Sequence, residues 1–120
     1  MRKTIVGAAA GLAILFTAAG VQAQGMEDVK ITASDLGKGV HMLMRRGGNI
    51  GLSAGPDGVI MVDDQFALLT PKIVAAVRQI SKQPIRFVLD TLWHFDHTGG
   101  NENLGKAVVA IVAHDNVRRL

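Results

Sequence analysis

The feature that most constrains the fold is an amphipathic segment that lies between two short apolar runs. Residues 59–62 and 85–89 are apolar for most of their length and are predicted as strands. Between them, apolar residues recur at helical spacing, at Ile73, Val74, Val77 and Ile80. A helix between two strands predicts a crossover connection with parallel pairing. The helix should cover one face of the sheet, and the other face should need a partner.

Local signals set the expected bounds of this helix. Thr70 is predicted as its N-cap and Pro71 as its first helical residue, because threonine caps helices and proline suits their first turn. The helix should end before Pro84. Downstream, residues 90–103 are predicted as a polar loop and residues 107–113 as a last buried strand.

The segment before the crossover is predicted to be a β-meander. Residues 39–45 and 50–54 are expected to be strands joined by a hairpin turn at residues 47–49. Residues 55–58, Gly-Pro-Asp-Gly, form a second turn signal. The whole pattern predicts a mixed α/β class.

The first 23 residues are predicted to be a signal peptide rather than part of the domain. Arg2 and Lys3 precede an apolar run at residues 5–19, and Val21-Gln22-Ala23 offers small residues where a signal peptidase cleaves. An uncleaved membrane anchor is the alternative. Cleavage after Ala23 predicts a periplasmic or secreted protein, with residues 24–120 forming one partial domain.

Charge and cysteine content exclude some functions. The chain has 13 basic and 10 acidic residues, and removal of Arg2 and Lys3 lowers the formal net charge from +3 to +1. The remaining basic residues are scattered, which gives no indication of nucleic-acid binding. Without cysteine there is no disulfide framework, so the core depends on packing or metal.

The segment that carries chemistry is residues 90–101, Asp-Thr-Leu-Trp-His-Phe-Asp-His-Thr-Gly-Gly-Asn. His94, Asp96 and His97 offer imidazole nitrogens and a carboxylate, which are ligands that zinc accepts. A loop at a strand end can direct such closely spaced side chains to one point, and the following glycines allow a tight turn. Spacing alone also fits a solvated loop.

This segment resembles the His-x-His-x-Asp-His motif of the metallo-β-lactamase superfamily. The resemblance extends over residues 36–120 in five further segments, which are residues 39–43, 48–51, 57–63, 84–89 and 113–115. It implies an αββα sandwich of which the chain is expected to be the N-terminal half. It also implies a hydrolase in which a metal-activated water attacks an ester, thioester or lactam carbonyl of a small-molecule substrate.

The resemblance also implies the metal ligands. His94 would bind the first zinc ion, and Asp96 and His97 the second, with Asp96 also orienting the attacking water as a catalytic residue. Leu92 departs from the motif, because it stands where the first histidine belongs and has no lone pair to donate. The first position should therefore be weak or empty, with at most one zinc ion bound. The later ligands of the family are expected beyond Leu120. A non-catalytic, degenerate member with weak or no metal binding is the alternative.

Polar residues near this loop receive more ordinary interpretations. Asp63 either steadies the metal loop by hydrogen bonding, as the resemblance implies, or simply ends a strand. Asp64 is expected to face solvent. The Arg45-Arg46 pair is expected to be a solvated strand end.

The aromatic and remaining histidine residues are expected to be structural. Trp93 and Phe95 could line a substrate pocket, but at least one of them is predicted to fill the core. His41 lies in an alternating strand and is predicted to be structural. His114 is predicted to cap a helix or to pack.

Overall fold

The computed structural model of the protein describes residues 25–45 and 47–119, so the predicted signal peptide lies outside the described residues. No helix within the described residues is long and apolar enough to cross a membrane. The elements follow the order β1 (Thr32–Gly37), β2 (Val40–Arg45), β3 (Gly48–Gly55), β4 (Gly58–Val62), α1 (Thr70–Ile80), β5 (Ile85–Asp90), α2 (Phe95–Thr98), α3 (Asn101–Lys106), β6 (Ala110–Ala113) and α4 (Asp115–Arg118).

The strands form one six-stranded sheet in which the spatial order follows the sequence order. Strands β1 to β4 pair antiparallel as a meander. Strands β4, β5 and β6 pair parallel, and α1 makes the crossover between β4 and β5. The predicted α/β class, the meander and the parallel crossover are confirmed.

The first hairpin is tighter than predicted. Gly48 and Asn49 were expected in the turn, but they pair with Arg45 and Met44 as part of β3. Only residues 46 and 47 are left to connect the strands, and the positive φ of Gly47, 103°, suits such a turn. The turn predicted at residues 55–58 is confirmed, because Gly55 pairs with Gly58.

Helix α1 begins differently from the prediction. A 3-10 turn at Ala67–Leu69 leads into the helix, and Leu69 occupies the N-cap position without a side-chain hydrogen bond. Thr70 is already helical and buried, and its hydroxyl accepts a hydrogen bond from Asn103 Nδ2 at 3.2 Å. The N-cap prediction for Thr70 is therefore wrong, because the preceding turn extends the helical path by three residues.

The hydrophobic core lies between α1 and one face of the sheet. Its members are Leu43, Ile50, Leu52, Val59, Met61, Leu69, Ile73, Val77, Val88, Leu104 and Val109. The opposite face carries Ile60, Phe87, Leu89 and Val112, which remain 38–47% exposed. The prediction that α1 covers one face of the sheet and leaves the other open is confirmed for the described residues.

The segment after β5 is more ordered than predicted. The expected loop at residues 90–103 contains α2 and the start of α3. Strand β6 begins at Ala110 rather than Ala107, because the backbone amides of Ala107 and Val109 both donate to the carbonyl oxygen of Leu104 and close the end of α3. His114 caps α4 through Nδ1, which accepts from the amide of Asn116 at 3.2 Å, as predicted.

Candidate metal centre

The candidate site lies where the parallel strands β4 and β5 end beside each other. Asp63 follows β4, and its amide donates to the carbonyl oxygen of Leu89 in β5 at 3.0 Å. The loop after β5 then passes over the end of β4. The carboxyl ends of neighbouring parallel strands share one edge of the sheet, which is where ligands bind in open α/β sheets.

Asp63 is the residue that fixes the loop to the sheet. It is buried and has a left-handed φ of 62°, which is uncommon for a residue other than glycine. One carboxylate oxygen accepts from the amide of Thr91 at 2.8 Å, and the other accepts from the Thr91 hydroxyl at 2.8 Å. The same second oxygen lies 2.8 Å from Nδ1 of His97. The interpretation of Asp63 as the residue that steadies the loop is confirmed.

His97 and Asp96 are brought together by this arrangement. A carboxylate accepts hydrogen bonds and does not donate, so its contact with Asp63 places the proton of His97 on Nδ1. The lone pair of Nε2 is then free, and Nε2 lies 3.5 Å from Oδ2 of Asp96. Nε2 of His97 and the Asp96 carboxylate are therefore neighbouring donor atoms of the kind that a zinc ion accepts.

His94 is not part of this convergence. It occupies the N-cap position of α2, where its carbonyl oxygen accepts from the amides of His97 and Thr98 at 2.8 and 3.1 Å. Its exposed ring packs edge-on against Trp93, with centroids 4.5 Å apart. Within residues 25–45 and 47–119, no group of three or more His, Cys, Asp or Glu side chains is arranged to hold a metal ion.

The backbone after Asp96 is tied to the residues that follow β4. The carbonyl oxygen of His97 accepts from the amides of Asp64 and Gln65 at 2.8 and 3.1 Å. Gln65 also forms an isolated parallel bridge with Thr98. The amide of Gly100 donates to Oδ1 of Asp64 at 2.9 Å. These bonds attach the second half of the loop to the end of β4.

Asp64 was predicted to face solvent, and that prediction is wrong. Its residue surface is 1% exposed, because the loop lies over it. Gly100 permits this contact, since a Cβ atom on Gly100 would lie 2.9 Å from Cγ of Asp64. Burial raises the pKa of Asp64 to about 7, the Gly100 hydrogen bond opposes this, and the negative charges of Asp90 and Asp63 add to it.

A further carboxylate, which is half-buried, lies at the end of β5. Asp90 accepts a hydrogen bond from Asn101 Nδ2 at 2.8 Å. Burial raises the pKa of Asp90, the Asn101 hydrogen bond opposes the rise, and the charge of Asp63 adds to it. The sequence offered one signal for this pair, because Asp90 directly precedes the motif at the end of β5 and Asn101 closes it.

Arg45 is also more enclosed than predicted. It ends β2, and its side chain is half-buried rather than solvated. Nε of Arg45 donates to Oε1 of the fully buried Gln65, and the guanidinium lies 5.0 Å from the centroid of the Phe66 ring. Arg46 lies outside the described residues.

Comparison with known proteins identifies the fold. No protein-family model and no curated protein matches the sequence. Among solved structures, the metallo-β-lactamase FIM-1 from Pseudomonas aeruginosa in its mono-zinc form matches with a TM-score of 0.66 and 26% identity, over 77% of this chain and 45% of that chain. Over the part that matches, the chain has the metallo-β-lactamase fold.

Two further solved structures support this assignment. An NDM/FIM-1-like metallo-β-lactamase from Erythrobacter litoralis, also in a mono-zinc form, matches with a TM-score of 0.60 and 30% identity over 73% of this chain and 46% of that one. A subclass B3 metallo-β-lactamase with an active-site glutamic acid matches with a TM-score of 0.71 and 20% identity, over 82% and 38%. The chain thus spans less than half the length of these proteins, and its single helix-covered sheet is a partial metallo-β-lactamase fold.

The residues of this metallo-β-lactamase-fold chain fit a zinc ion in part. His97 has its Nδ1 hydrogen-bonded to a carboxylate, an arrangement that directs the other ring nitrogen towards a metal. Asp96 adds a carboxylate oxygen beside that nitrogen. The donor chemistry of this pair suits zinc, whereas the predicted third donor, His94, is directed elsewhere.

The aromatic residues of the motif do not fill the core. Trp93 is 56% exposed and Phe95 is 73% exposed, so the prediction that one of them is buried is wrong. Phe95 lies beside Phe66, with ring centroids 6.0 Å apart. Together with Leu68 these two rings line an apolar cleft of about 440 Å³ next to the metal loop. His41, as predicted, has a structural setting, with Nδ1 3.9 Å from Asp35 across the strand pair.

Proposed function

We propose that the chain supplies the metal loop of an exported zinc-dependent hydrolase, which attacks an ester, thioester or lactam carbonyl of a small-molecule substrate. The observation that carries the proposal is the convergence of Asp96 and His97, with Nε2 and Oδ2 3.5 Å apart and the His97 ring fixed by Asp63. The similar solved structures are metallo-β-lactamases, and two of them hold one zinc ion.

Each residue of the pair has a defined task in this proposal. Asp63 holds the His97 ring and its tautomer, so that Nε2 is available as a ligand. Asp96 would provide a carboxylate oxygen to the ion and orient the attacking water by accepting its hydrogen bond. Zinc, when bound, supplies a Lewis acid that lowers the pKa of water and polarises the carbonyl. His94 would be a ligand only after its ring leaves the position that it holds against Trp93.

A second candidate is a non-catalytic member of the superfamily with weak or no metal binding. Two observations favour it. Leu92 removes one nitrogen donor from the motif, and His94 is not directed at the Asp96–His97 pair. A catalytic zinc ion ordinarily has three protein ligands and one water.

The test separates these candidates on the full chain. The protein is expressed with its first 23 residues, purified from the periplasm and weighed by mass spectrometry, where the mass of residues 24–120 is expected. Zinc retention is then measured by equilibrium dialysis, together with hydrolysis of chromogenic ester and lactam substrates. We expect the natural chain to retain up to one zinc ion weakly, and Leu92→His to bind at least about tenfold more tightly.

The outcomes differ between the two candidates. Retention by the natural chain that is lost in Asp96→Asn supports the metallohydrolase loop. If neither the natural chain nor Leu92→His retains zinc at micromolar concentrations, the hydrolase proposal is wrong and the non-catalytic candidate is favoured. The exposed His114→Ala variant serves as a control for loss of a histidine outside the loop.

A further inference from the structure

An apolar cleft adjoins the loop that carries the candidate metal ligands. The residues that line this cleft of about 440 Å³ are all apolar residues or glycine, and they are Met26, Phe66, Ala67, Leu68, Phe95 and Gly99. Two of them, Phe95 and Gly99, flank Asp96 and His97 in the chain, so the cleft lies beside that pair. Exposed apolar side chains gathered around a cavity of this size are typical of a ligand pocket.

One side of the cleft is formed by Met26, which is distant from the loop in the sequence. Met26 is half-buried in a helical turn at residues 25–27, and it packs against the edge of the hydrophobic core. So short a helical turn is not stable by itself, so other groups must hold it in place. The side chain of methionine is flexible and polarisable, which lets it adapt to ligands of different shape.

Lys72 holds this turn in place. Its Nζ atom donates to the carbonyl oxygens of Met26 at 3.3 Å and of Val29 at 3.1 Å. It also donates to the carbonyl oxygen of Glu27. An ammonium group has three donors, and it stabilises the carbonyl end of a helical turn. Because Lys72 lies in the first turn of α1, directly after the 3-10 turn that contains Leu68, these bonds join Met26 to another side of the cleft.

We propose that the cleft binds the apolar acyl group of the substrate, that Met26 forms an adaptable part of its wall, and that Lys72 is a positioning residue that holds Met26 there. This inference rests on the proposed function, since the carbonyl of the same substrate would lie at the Asp96–His97 pair. A charged or strongly polar acyl group would lose its hydration in the cleft without gaining hydrogen bonds, so apolar groups should be selected.

The experiment follows ligand binding by NMR of carbon-13-labelled methionine methyl groups in the purified chain, treated with chelator so that no zinc is present. Met26 reports on the cleft, and the fully buried Met61 reports on the core. The probes are octanamide, which is uncharged and has an apolar acyl chain, and acetamide, which has the same polar group and a single methyl group. We expect octanamide to shift the Met26 signal in a saturable way, acetamide to leave it unchanged, and the Met61 signal to stay in place with both.

Substitutions separate the wall of the cleft from the residue that positions it. Met26→Ala should weaken octanamide binding about fivefold, measured on the ligand signals, because it removes apolar contact area. Lys72→Leu should weaken it at least about threefold and move the Met26 signal towards that of free methionine, with Met61 unchanged. Lys72→Arg keeps donors for the carbonyl groups and should stay within about twofold of the natural chain.

Lys82→Leu is the matched control for Lys72→Leu. Lys82 donates to a single carbonyl oxygen, that of Arg78 at 3.0 Å, near the other end of α1. Its substitution should leave both the Met26 signal and the octanamide affinity unchanged. Equal losses in Lys82→Leu and Lys72→Leu would overturn the positioning role of Lys72.

The binding role of the cleft is wrong if octanamide does not bind, or if it binds without moving the Met26 signal. A Met26 signal that shifts with protein concentration in the absence of ligand would assign the cleft to a second copy of the chain, and would overturn the inference as well. Because these measurements need no zinc, their failure is distinct from failure of the proposed function. Zinc retention without octanamide binding refutes the cleft alone, whereas octanamide binding at Met26 without zinc retention supports an apolar ligand site and refutes the hydrolase.

Discussion

The two halves of the metal loop are attached to the sheet in different ways. In the anchored half, residues 96–100, the His97 ring bonds to Asp63, its carbonyl oxygen accepts from two amides after β4, and Gly100 donates to Asp64. In the outer half, residues 92–95, the described contacts are mostly local. The ring of His94 packs on Trp93, and the hydroxyl of Thr98 lies 3.2 Å from the His94 carbonyl oxygen.

This difference explains why one pair of donors is preorganised and the other donor is not. A ligand whose ring is already fixed by neighbouring groups loses little conformational freedom when it binds a metal, whereas an exposed ring must first be ordered. Leu92 lies in the outer half, where replacement of a histidine leaves the anchoring hydrogen bonds untouched. The loss of a donor there is therefore compatible with an intact fold.

The largest expected effect comes from substitution of a glycine in the anchored half, which tests the contrast between the two halves of the loop. A Cβ atom on Gly99 would lie 2.5 Å from the carbonyl oxygen of Phe95 and 2.6 Å from that of Gln65. Both contacts are with backbone, so the anchored half would have to shift. We expect Gly99→Ala to lower the free energy of unfolding by about 3 kcal/mol, measured by urea denaturation.

Gly105 provides the matched control for this substitution. It lies in α3, and a Cβ atom there would meet nothing within 4 Å. Gly105→Ala should therefore stabilise the chain by about 0.5 to 1 kcal/mol, because alanine favours a helix. Equal effects of the two substitutions would show that the anchored half is not packed against the end of β4 as described.

Zinc affinity should depend much more on His97, in the anchored half, than on His94, in the outer half. We expect His97→Ala to weaken zinc binding about 100-fold, or about 2.7 kcal/mol, because it removes a preorganised donor. His94→Ala should change the affinity by less than about threefold, because its ring is directed away from the pair. Equilibrium dialysis of both variants measures this. A larger loss in His94→Ala than in His97→Ala would reverse the assignment of the two halves.

The sequence predicted the strands and the helix well, and it predicted the surroundings of the site residues less well. Hydrophobic periodicity placed β4, α1 and β5, because burial of one helix face and of both strands determines those residues directly. The loop-steadying role of Asp63 was one of two interpretations, and it came from the resemblance to the metallo-β-lactamase superfamily rather than from the local pattern. The burial of Asp64 and Arg45 was not predictable, because it depends on which loop packs over them, a tertiary property with no local signal.

The position of His94 could not be predicted from the sequence for the same reason. A four-residue helix, α2, follows it, and this helix determines where each motif side chain projects. Nothing in the local composition distinguishes such a short helix from the irregular loop that was predicted, since helices of this length depend on their surroundings. The candidate donors could therefore be named from the sequence, but which of them lie side by side depends on the tertiary arrangement.

Asp64 provides the last test, because it lies beneath the anchored half and accepts a hydrogen bond from the Gly100 amide through Oδ1. Its pKa is raised from an ordinary value of 3.8 to about 7 in the folded chain, mainly by burial. The folded state therefore holds a proton that the unfolded state releases above about pH 4. The stability that this proton provides is fully present below about pH 4 and is lost as the pH rises from about 4 to about 7.

Asp64→Asn should remove this dependence, because the amide is neutral at every pH and can still accept from Gly100. In chelator-treated protein, we expect the variant to be more stable than the natural chain above pH 7 by about 2 kcal/mol, with little difference near pH 4. The exposed Asp57→Asn is the control and should show no such trend. If the stability difference between Asp64→Asn and the natural chain does not change between pH 4 and 7, Asp64 is hydrated in solution. The anchored half would then not cover it, and the contrast between the two halves of the loop would be weaker than the hydrogen bonds indicate.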